Sequence, residues 1–436
     1  MISGDTIAAS ATALGRGGVA VVRVSGSEAF SVAERLTGIR DQGSGISVRK
    51  VYSRPDPCSL IPDPSSWIDE CILLRFKSPH SYTGEDVVEF QCHGGAVTPR
   101  RVLEACLAAG ARLARRGEFT QRAFLNGKLD YGQAESVLDL IDAKTARAAD
   151  AALEGLSGRR SRACRALYES ALDLSTRLEH ALDIDEGELP EDFQESISSQ
   201  LSTLNSQLRT AISKAAEGRL LKSGALVVLA GPPNAGKSSL MNALLEENRA
   251  IVSEIPGTTR DSIEAWIDLD GWPIRLVDTA GLREAKDEIE GEGVRRAEEL
   301  LSRADLVLWL GDPSSVSRLK SSVLKLHPKC DLGRGEGLNV SSKTGEGLEE
   351  LKRAIVAKLE EKVAASDSGD ALEGDVTAYH EALAFLPQTS NFRPQTDLVL
   401  LANAVRSAAE RLGAAVGATY SSDMLDKLFS RFCVGK

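Results

Sequence analysis

The sequence predicts a multidomain chain of the α/β plus α class: an α/β domain opens it, a helical domain follows, and a second α/β domain interrupts that helical domain. Three observations lead there. Short unbroken apolar runs such as Ala225–Ala230 (ALVVLA) have the composition of strands buried on both faces of a parallel sheet. Ile197, Leu201, Leu204, Leu208 and Ile212 recur at spacings of three and four, which gives a helix one apolar stripe. Such a stripe returns with Leu398, Leu401, Val405 and Leu412 after the strand pattern has ended, so the strand-rich stretch is an insertion.

Taken in order, residues 1–118 form the first domain, with Val19–Val24 (VAVVRV), Ile72–Phe76 and Val87–Phe90 as buried strands and glycine breaks at Gly15–Gly18 and Gly94–Gly95. Residues 119–218 are the first part of the helical domain, and the acidic loop 183–192 (DIDEGELPED) separates its last two helices. Residues 219–365 switch to strand–loop–helix units built on Ala225–Ala230, Ile274–Val277 and Leu306–Leu310. The polar segment Ser366–Gly374 is the exit linker, and 366–436 is the second part of the helical domain.

A length of 436 residues fits two to four such domains. No apolar run approaches the ~18 residues of a membrane span, and the opening MISGDTIAAS lacks the basic start and apolar stretch of a secretory signal, so a cytoplasmic protein is expected. Seven cysteines, an odd count without a C-x-x-C pair, fit reduced thiols. Cys92 beside His93 offers two ligand types, which do not make a metal site. The net charge of −11 argues against general coating of nucleic acid, which runs on Lys and Arg, while leaving room for a local basic patch that holds one RNA.

Gly231–Ser238 (GPPNAGKS) matches G-x-x-x-x-G-K-[ST] between a predicted strand and a predicted helix, the context a phosphate-binding loop requires. Main-chain N–H groups of Asn234, Ala235, Gly236, Lys237, Ser238 and Ser239 are expected around the phosphates, Lys237 on the β and γ oxygens, and Ser238 on Mg²⁺. Thr258 and Thr259 follow about twenty residues later, and Thr259 is the candidate second Mg²⁺ ligand. Asp278, Thr279, Ala280 and Gly281 close the strand IRLV, where a carboxylate reaches the metal and a glycine N–H the γ-phosphate. Lys329 and Asp331 follow another strand, with Asp331 accepting from the guanine base, and Ser341, Ser342 and Lys343 supply backbone donors near the guanine oxygen. These elements, in this order, predict a Ras-like P-loop G domain that binds GTP and GDP.

Two positions depart from that pattern. The residue after D-x-x-G, where Ras-like enzymes carry the Gln that orients water, is Leu282. Glu284, Asp287, Glu288, Glu290 and Glu292 follow, and residue chemistry does not choose among them. The guanine motif, ordinarily Asn-Lys-x-Asp, begins here with Pro328, which removes a side-chain donor.

The strings YTGEDVVEFQCHGG, GEFTQRAFLNGKLD, GPPNAGKSSLMNALL, GTTRD, DTAGLREAKDEIE and FCVGK together resemble the MnmE (TrmE) family, the bacterial tRNA-modification GTPases, over nearly the whole chain. The resemblance implies a tetrahydrofolate-binding N-terminal domain that dimerises, a helical domain in two segments and the inserted G domain. It implies a homodimer that joins the FAD-dependent partner MnmG (GidA) in a heterotetramer and modifies carbon 5 of the wobble uridine of certain tRNAs. It assigns Arg23, Glu89, Lys128 and Lys436 to 5-formyltetrahydrofolate, and Asn234, with Ser253, Ile255 and Thr258, to a K⁺ ion that takes the place of an arginine finger. It matches Glu290 to the water-orienting glutamate. Cys433 carries two readings, a thiol acting in tRNA modification or a buried structural cysteine.

Overall fold

The computed structural model describes residues 5–13, 15–39, 45–53, 66–183, 189–247, 264–279, 298–311, 322–364, 375–387, 394–417, 425 and 428–436. The chain divides into two compact units, residues 1–138 with 419–436, and residues 139–418.

The first unit contains β1 (Ile7–Ser10), β2 (Val19–Ser25), α1 (Ala29–Thr37), β3 (Gly45–Tyr52), β4 (Trp67–Phe76), β5 (Val87–His93), α2 (Thr98–Ala108), β6 (Arg112–Leu113), α3 (Glu118–Leu125) and most of α4 (Tyr131–Asp142). Its strands lie in the order β3-β4-β5-β2-β1-β6, all antiparallel except the β1–β6 pair. The two-residue period of a strand decides what each face carries. Val22 and Val24 of β2, with Val88 and Phe90 of β5, turn toward Val32 and Leu36 of α1 and Val102 of α2, and form one core. The alternate residues, Arg23 and Glu89, stand on the other face, directly opposite each other in the β2–β5 register.

That other face is covered by α3 and by a segment from the far end of the sequence. Ile7 and Ala9 of β1 pack with Ala114, Phe119 and Tyr82. Ala134 and Leu138 of α4 pack with Leu428, Phe429 and Phe432. Residues 119–138 and 428–436, which the sequence reading assigned to the helical domain, thus pack with this unit. The cause is a close approach at Gly117, which begins α3 with φ 66°. A Cβ there would sit 2.6 Å from the Phe429 carbonyl oxygen, so only glycine lets the two backbones meet.

The second unit begins with α5 (Ala146–Leu156), α6 (Arg159–Leu182) and α7 (Phe193–Ser223). It continues through β7 (Ala225–Ala230), α8 (Lys237–Glu247), β8 (Glu264–Leu269), β9 (Trp272–Asp278), β10 (Leu306–Leu310), β11 (Val323–Pro328), β12 (Leu338–Val340) and α9 (Leu348–Ala364), and ends with α10 (Asp375–Phe385) and α11 (Pro394–Gly417). Ile197, Leu201, Leu204, Leu208 and Ile212 of α7 share one core with Leu398, Leu401, Val405 and Leu412 of α11, so helices from before and after the sheet close a single bundle. The sheet has the order β12-β11-β10-β7-β9-β8 and is parallel except for the β8–β9 hairpin. All six residues of β7 are buried, as an apolar run flanked by parallel neighbours on both sides requires.

The β8–β9 hairpin also meets the helices. Thr145 caps α5 by accepting the Ala148 N–H (3.2 Å) and donates its hydroxyl to the Gly271 carbonyl in the hairpin turn (2.7 Å). Arg147 lies 4.2 Å from the centroid of the buried Trp272 ring and binds Glu217 of α7 at 2.6 Å.

Candidate functional site

In the second unit, the loop between β7 and α8 carries the phosphate-binding motif at the end of the central strand of the sheet. Asn234 adopts the left-handed region at φ 61° and Gly236 does so at φ 95°, which folds the loop over the start of α8. The helix N-terminus that follows presents unpaired N–H groups and the positive end of its dipole, a natural seat for phosphate. Lys237 is almost fully buried and donates to the carbonyls of Gly231 (3.1 Å) and Pro232 (2.9 Å), which holds its ammonium across the loop mouth.

Ser238 donates its hydroxyl to Asp278 Oδ2 at 2.5 Å. A P-loop hydroxyl and the carboxylate that ends β9 therefore share one point, and hard oxygen donors of this kind fit Mg²⁺. Thr279 is anchored behind them, its hydroxyl donating to the Leu229 carbonyl at 2.9 Å.

The base-recognition end lies one strand further along. Ser341, fully buried, donates to Asp331 Oδ1 at 2.7 Å and so orients the carboxylate. Lys329, with φ 58°, reaches back to donate to the Asn234 carbonyl at 3.1 Å and ties the base loop to the phosphate loop. Between them is a pocket lined by Ala235, Gly236, Ser239 and Leu240 on one side and Pro328, Lys329, Val340 and Ser342 on the other. Lys343 is exposed beside it, and the Asn234 side chain is exposed at the crest of the P-loop. Ser253, Ile255, Thr258, Thr259, Ala280, Gly281, Leu282 and the acidic candidates Glu284 to Glu292, including Glu290, lie outside the described residues.

The first unit holds a second constellation. Arg23 Nε donates to Glu89 Oε1 at 2.7 Å, and the guanidinium carbon lies 5.4 Å from the Tyr82 ring centroid and 5.6 Å from that of Phe119. Tyr82 Oη and Thr120 Oγ1 share a hydrogen bond of 2.9 Å. The loop that carries Tyr82 is pinned by Ser25, which donates to Glu85 at 2.8 Å, and by Asn126, which donates to the Thr83 carbonyl at 2.7 Å. Lys128 is exposed and donates to the Pro79 carbonyl of the same loop at 3.1 Å.

The segment 433–436 runs alongside. Gly117 N–H donates to the Cys433 carbonyl (3.4 Å) and Phe119 N–H to the Lys436 carbonyl (3.2 Å). The Cys433 thiol is exposed, which removes the reading of a buried structural cysteine. Cys92 and His93 point to opposite faces of β5, the thiol donating to the Ala20 carbonyl and the imidazole meeting Asp69 at 2.8 Å. Residue-type reasoning did not single out Tyr82 or Phe119, although both lie in the quoted strings YTGE and GEFT. The signal for Tyr82 was an aromatic residue inside a polar, glycine-bearing loop; Phe119, in α3 and packed with Ile7 and Ala9, reads as core.

Two family models match the chain: GTP-binding protein TrmE N-terminus over residues 6–128, and MnmE helical domain over residues 132–433. A tRNA modification GTPase MnmE of Symbiobacterium thermophilum is 40% identical over 463 residues, covering 99% of this chain and 99% of that protein. One of Nitrosomonas europaea is 40% identical over 467 residues, covering 100% of each. Among solved structures, the G domain of the T. maritima FeoB iron transporter is 29% identical, covering 31% of this chain and 98% of that one, with a TM-score of 0.24.

Proposed function

The chain belongs to the MnmE (TrmE) family of tRNA-modification GTPases, and from that premise we propose that it is a K⁺-stimulated GTPase that works with an FAD-dependent partner and a tetrahydrofolate on the wobble uridine of tRNA. It is a GTPase acting in tRNA modification. The observation that carries the reading is the convergence of Ser238, Asp278 and Asp331 at one edge of the sheet, at the ends of β7, β9 and β11.

Mg²⁺, when bound, offsets the charge that builds on the phosphates during hydrolysis. Ser238 and Asp278 would hold it, with Thr259 as the further ligand of this reading. The P-loop N–H groups and Lys237 hold the phosphates in line for attack, and Asp331, oriented by Ser341, selects guanine. Asn234, exposed over the phosphate edge, is the side chain that fits a monovalent cation there, with Ser253, Ile255 and Thr258 completing its shell.

Glu290, which the family resemblance matches to the water-orienting glutamate, would orient the attacking water in place of Leu282, which has no group to do so. Glu290→Ala is expected to lower turnover by a factor of ~10² to 10⁴ with GTP affinity unchanged, measured by single-turnover hydrolysis and nucleotide titration. Parallel loss of both would make Glu290 a residue of switch folding instead.

Arg23, Glu89, Lys128 and Lys436 are the folate residues of this reading. The Arg23–Glu89 pair supports it, because it sets a cation and a carboxylate side by side beneath the Tyr82 and Phe119 rings. Cys433, exposed in the segment that meets α3, is the candidate thiol for the tRNA chemistry. Ile46, Val48, Ile72 and Phe76 form an exposed apolar row on β3 and β4, at the sheet edge, which supports a homodimer through this unit. No helix among the described residues is long and apolar enough to cross a membrane, in keeping with a cytoplasmic site of action.

A further inference from the structure

Arg23 is held on several sides at once. Its Nε is committed to Glu89, and aromatic rings lie 5.4 and 5.6 Å from its guanidinium carbon, both within the ~6 Å over which a cation and a ring attract. Each ring is itself fixed. Tyr82 is bonded to the fully buried Thr120, and Phe119, also fully buried, has its N–H on the Lys436 carbonyl. The guanidinium is therefore held by β5, the loop that carries Tyr82 and the start of α3, and its side chain keeps only 17% exposure.

What remains unused is a specific pattern of donors and acceptors. Among the described residues, Arg23 makes no other polar contact than Nε to Glu89, and Glu89 no other side-chain bond than Oε1 to Arg23. The terminal N–H groups of the guanidinium are left as donors, and beside them Glu89 Oε2 is left as an acceptor. A planar edge that presents a carbonyl acceptor next to ring and exocyclic N–H donors complements this pair. The 2-amino-4-oxo edge of a pterin has that order; a 2,4-diamino edge replaces the acceptor by a donor and faces Arg23 with like polarity.

We propose that Tyr82 and Phe119 are positioning residues that hold Arg23 coplanar with Glu89, so that the pair reads the 2-amino-4-oxo edge of a reduced folate and rejects its 4-amino analogues. The proposal rests on the folate reading given above. It also explains why the loop 78–86, the start of α3 and the segment 433–436 meet at one place: each fixes one wall around Arg23.

The test is calorimetric titration of the full chain with 5-formyltetrahydrofolate and with methotrexate, a 4-amino folate. The wild type is expected to favour the 4-oxo ligand by about 5- to 150-fold, the effect of leaving a buried polar group mismatched. Tyr82→Leu is expected to weaken 5-formyltetrahydrofolate binding about 2- to 30-fold and to shrink the preference, while Tyr82→Phe, which keeps the ring and loses only the Thr120 bond, retains both. Thermal unfolding checks that each variant folds. Should Tyr82→Leu not fold, Phe119→Leu, which removes the other ring, tests the same role and is expected to shrink the preference likewise. The preference ratio separates positioning from general loosening, because a merely structural defect weakens both ligands alike.

A wild type that binds no 5-formyltetrahydrofolate overturns the folate reading itself. A wild type that binds both ligands equally overturns the edge-reading role of Arg23 and Glu89. Tyr82→Leu with an undiminished preference overturns the role of the aromatic walls.

Discussion

Pro328 sets the most specific expectation for a single residue. It ends β11 opposite Val340 and lines the base pocket where the usual Asn would bond the guanine edge. The tie between base loop and P-loop survives through Lys329 and the Asn234 carbonyl at 3.1 Å, so what is missing is contact with the base and not loop cohesion. Pro328→Asn is therefore expected to tighten GTP binding, by up to the 5- to 150-fold equivalent of one or two hydrogen bonds, ~1–3 kcal/mol. Equilibrium titration with a fluorescent guanine nucleotide measures it, and unchanged or weaker binding would show that the rigid proline has already compensated.

Glu118 is one residue through which pH acts on the first unit, beside Asp5 and Asp69, whose carboxyls are also held below their ordinary value. It is fully buried, and burial by itself raises its pKa. Arg112 (2.5 Å), the Arg115 N–H (2.8 Å) and Arg122 (3.2 Å) overcome that cost and hold the carboxyl at about 2, below its ordinary 4.5. A depressed folded-state pKa stabilises the protein above the unfolded value, and the contribution is lost as pH falls from 4.5 toward 2. The thermal midpoint of the wild type should drop through that window more steeply than that of Glu118→Gln, which does not titrate. Parallel curves would assign the acid sensitivity elsewhere.

At the scale of elements, the β8–β9 hairpin is the part whose role is least apparent in its own sequence. β8 begins shortly after Thr258 and Thr259 in the sequence, and β9 ends in Asp278, so the hairpin lies in the chain between the two motifs proposed to serve the metal and phosphates. Its turn is fastened to α5 by Thr145, and its Trp272 lies against Arg147. Thr145→Ala removes both the helix cap and the Gly271 bond and is expected to cost about 1–2 kcal/mol. The check is the urea midpoint, which should fall with an unchanged slope; no shift would mean that the hairpin is not fastened there in solution.

At the scale of the whole molecule, the inserted sheet was legible because parallel strands need unbroken apolar runs, and ALVVLA, IRLV and LVLWL stand out from their surroundings. The bundle was legible for the same kind of reason, since Ile197 to Ile212 and Leu398 to Leu412 are periodic on both sides of the insertion. The placement of residues 428–436 was not. Phe429 and Phe432 carry no local sign of what they pack against, and nothing near them reveals that Gly117, some three hundred residues earlier, leaves room for them. The nucleotide site could be read as motifs because its chemistry lies in short contiguous loops, whereas the walls around Arg23 come from three distant segments and appear only once these are folded together.

The central claim is that this chain hydrolyses GTP with a monovalent cation where other GTPases use an arginine. The measurement that tests it most directly is steady-state GTP turnover in K⁺ against the same concentration of Na⁺, with Mg²⁺ present. K⁺ and Na⁺ differ in radius and coordination, so a site built from Asn234 and loop carbonyls separates them. The account predicts substantially faster turnover in K⁺, with Asn234→Ala abolishing the difference; equal rates in the two salts would contradict it.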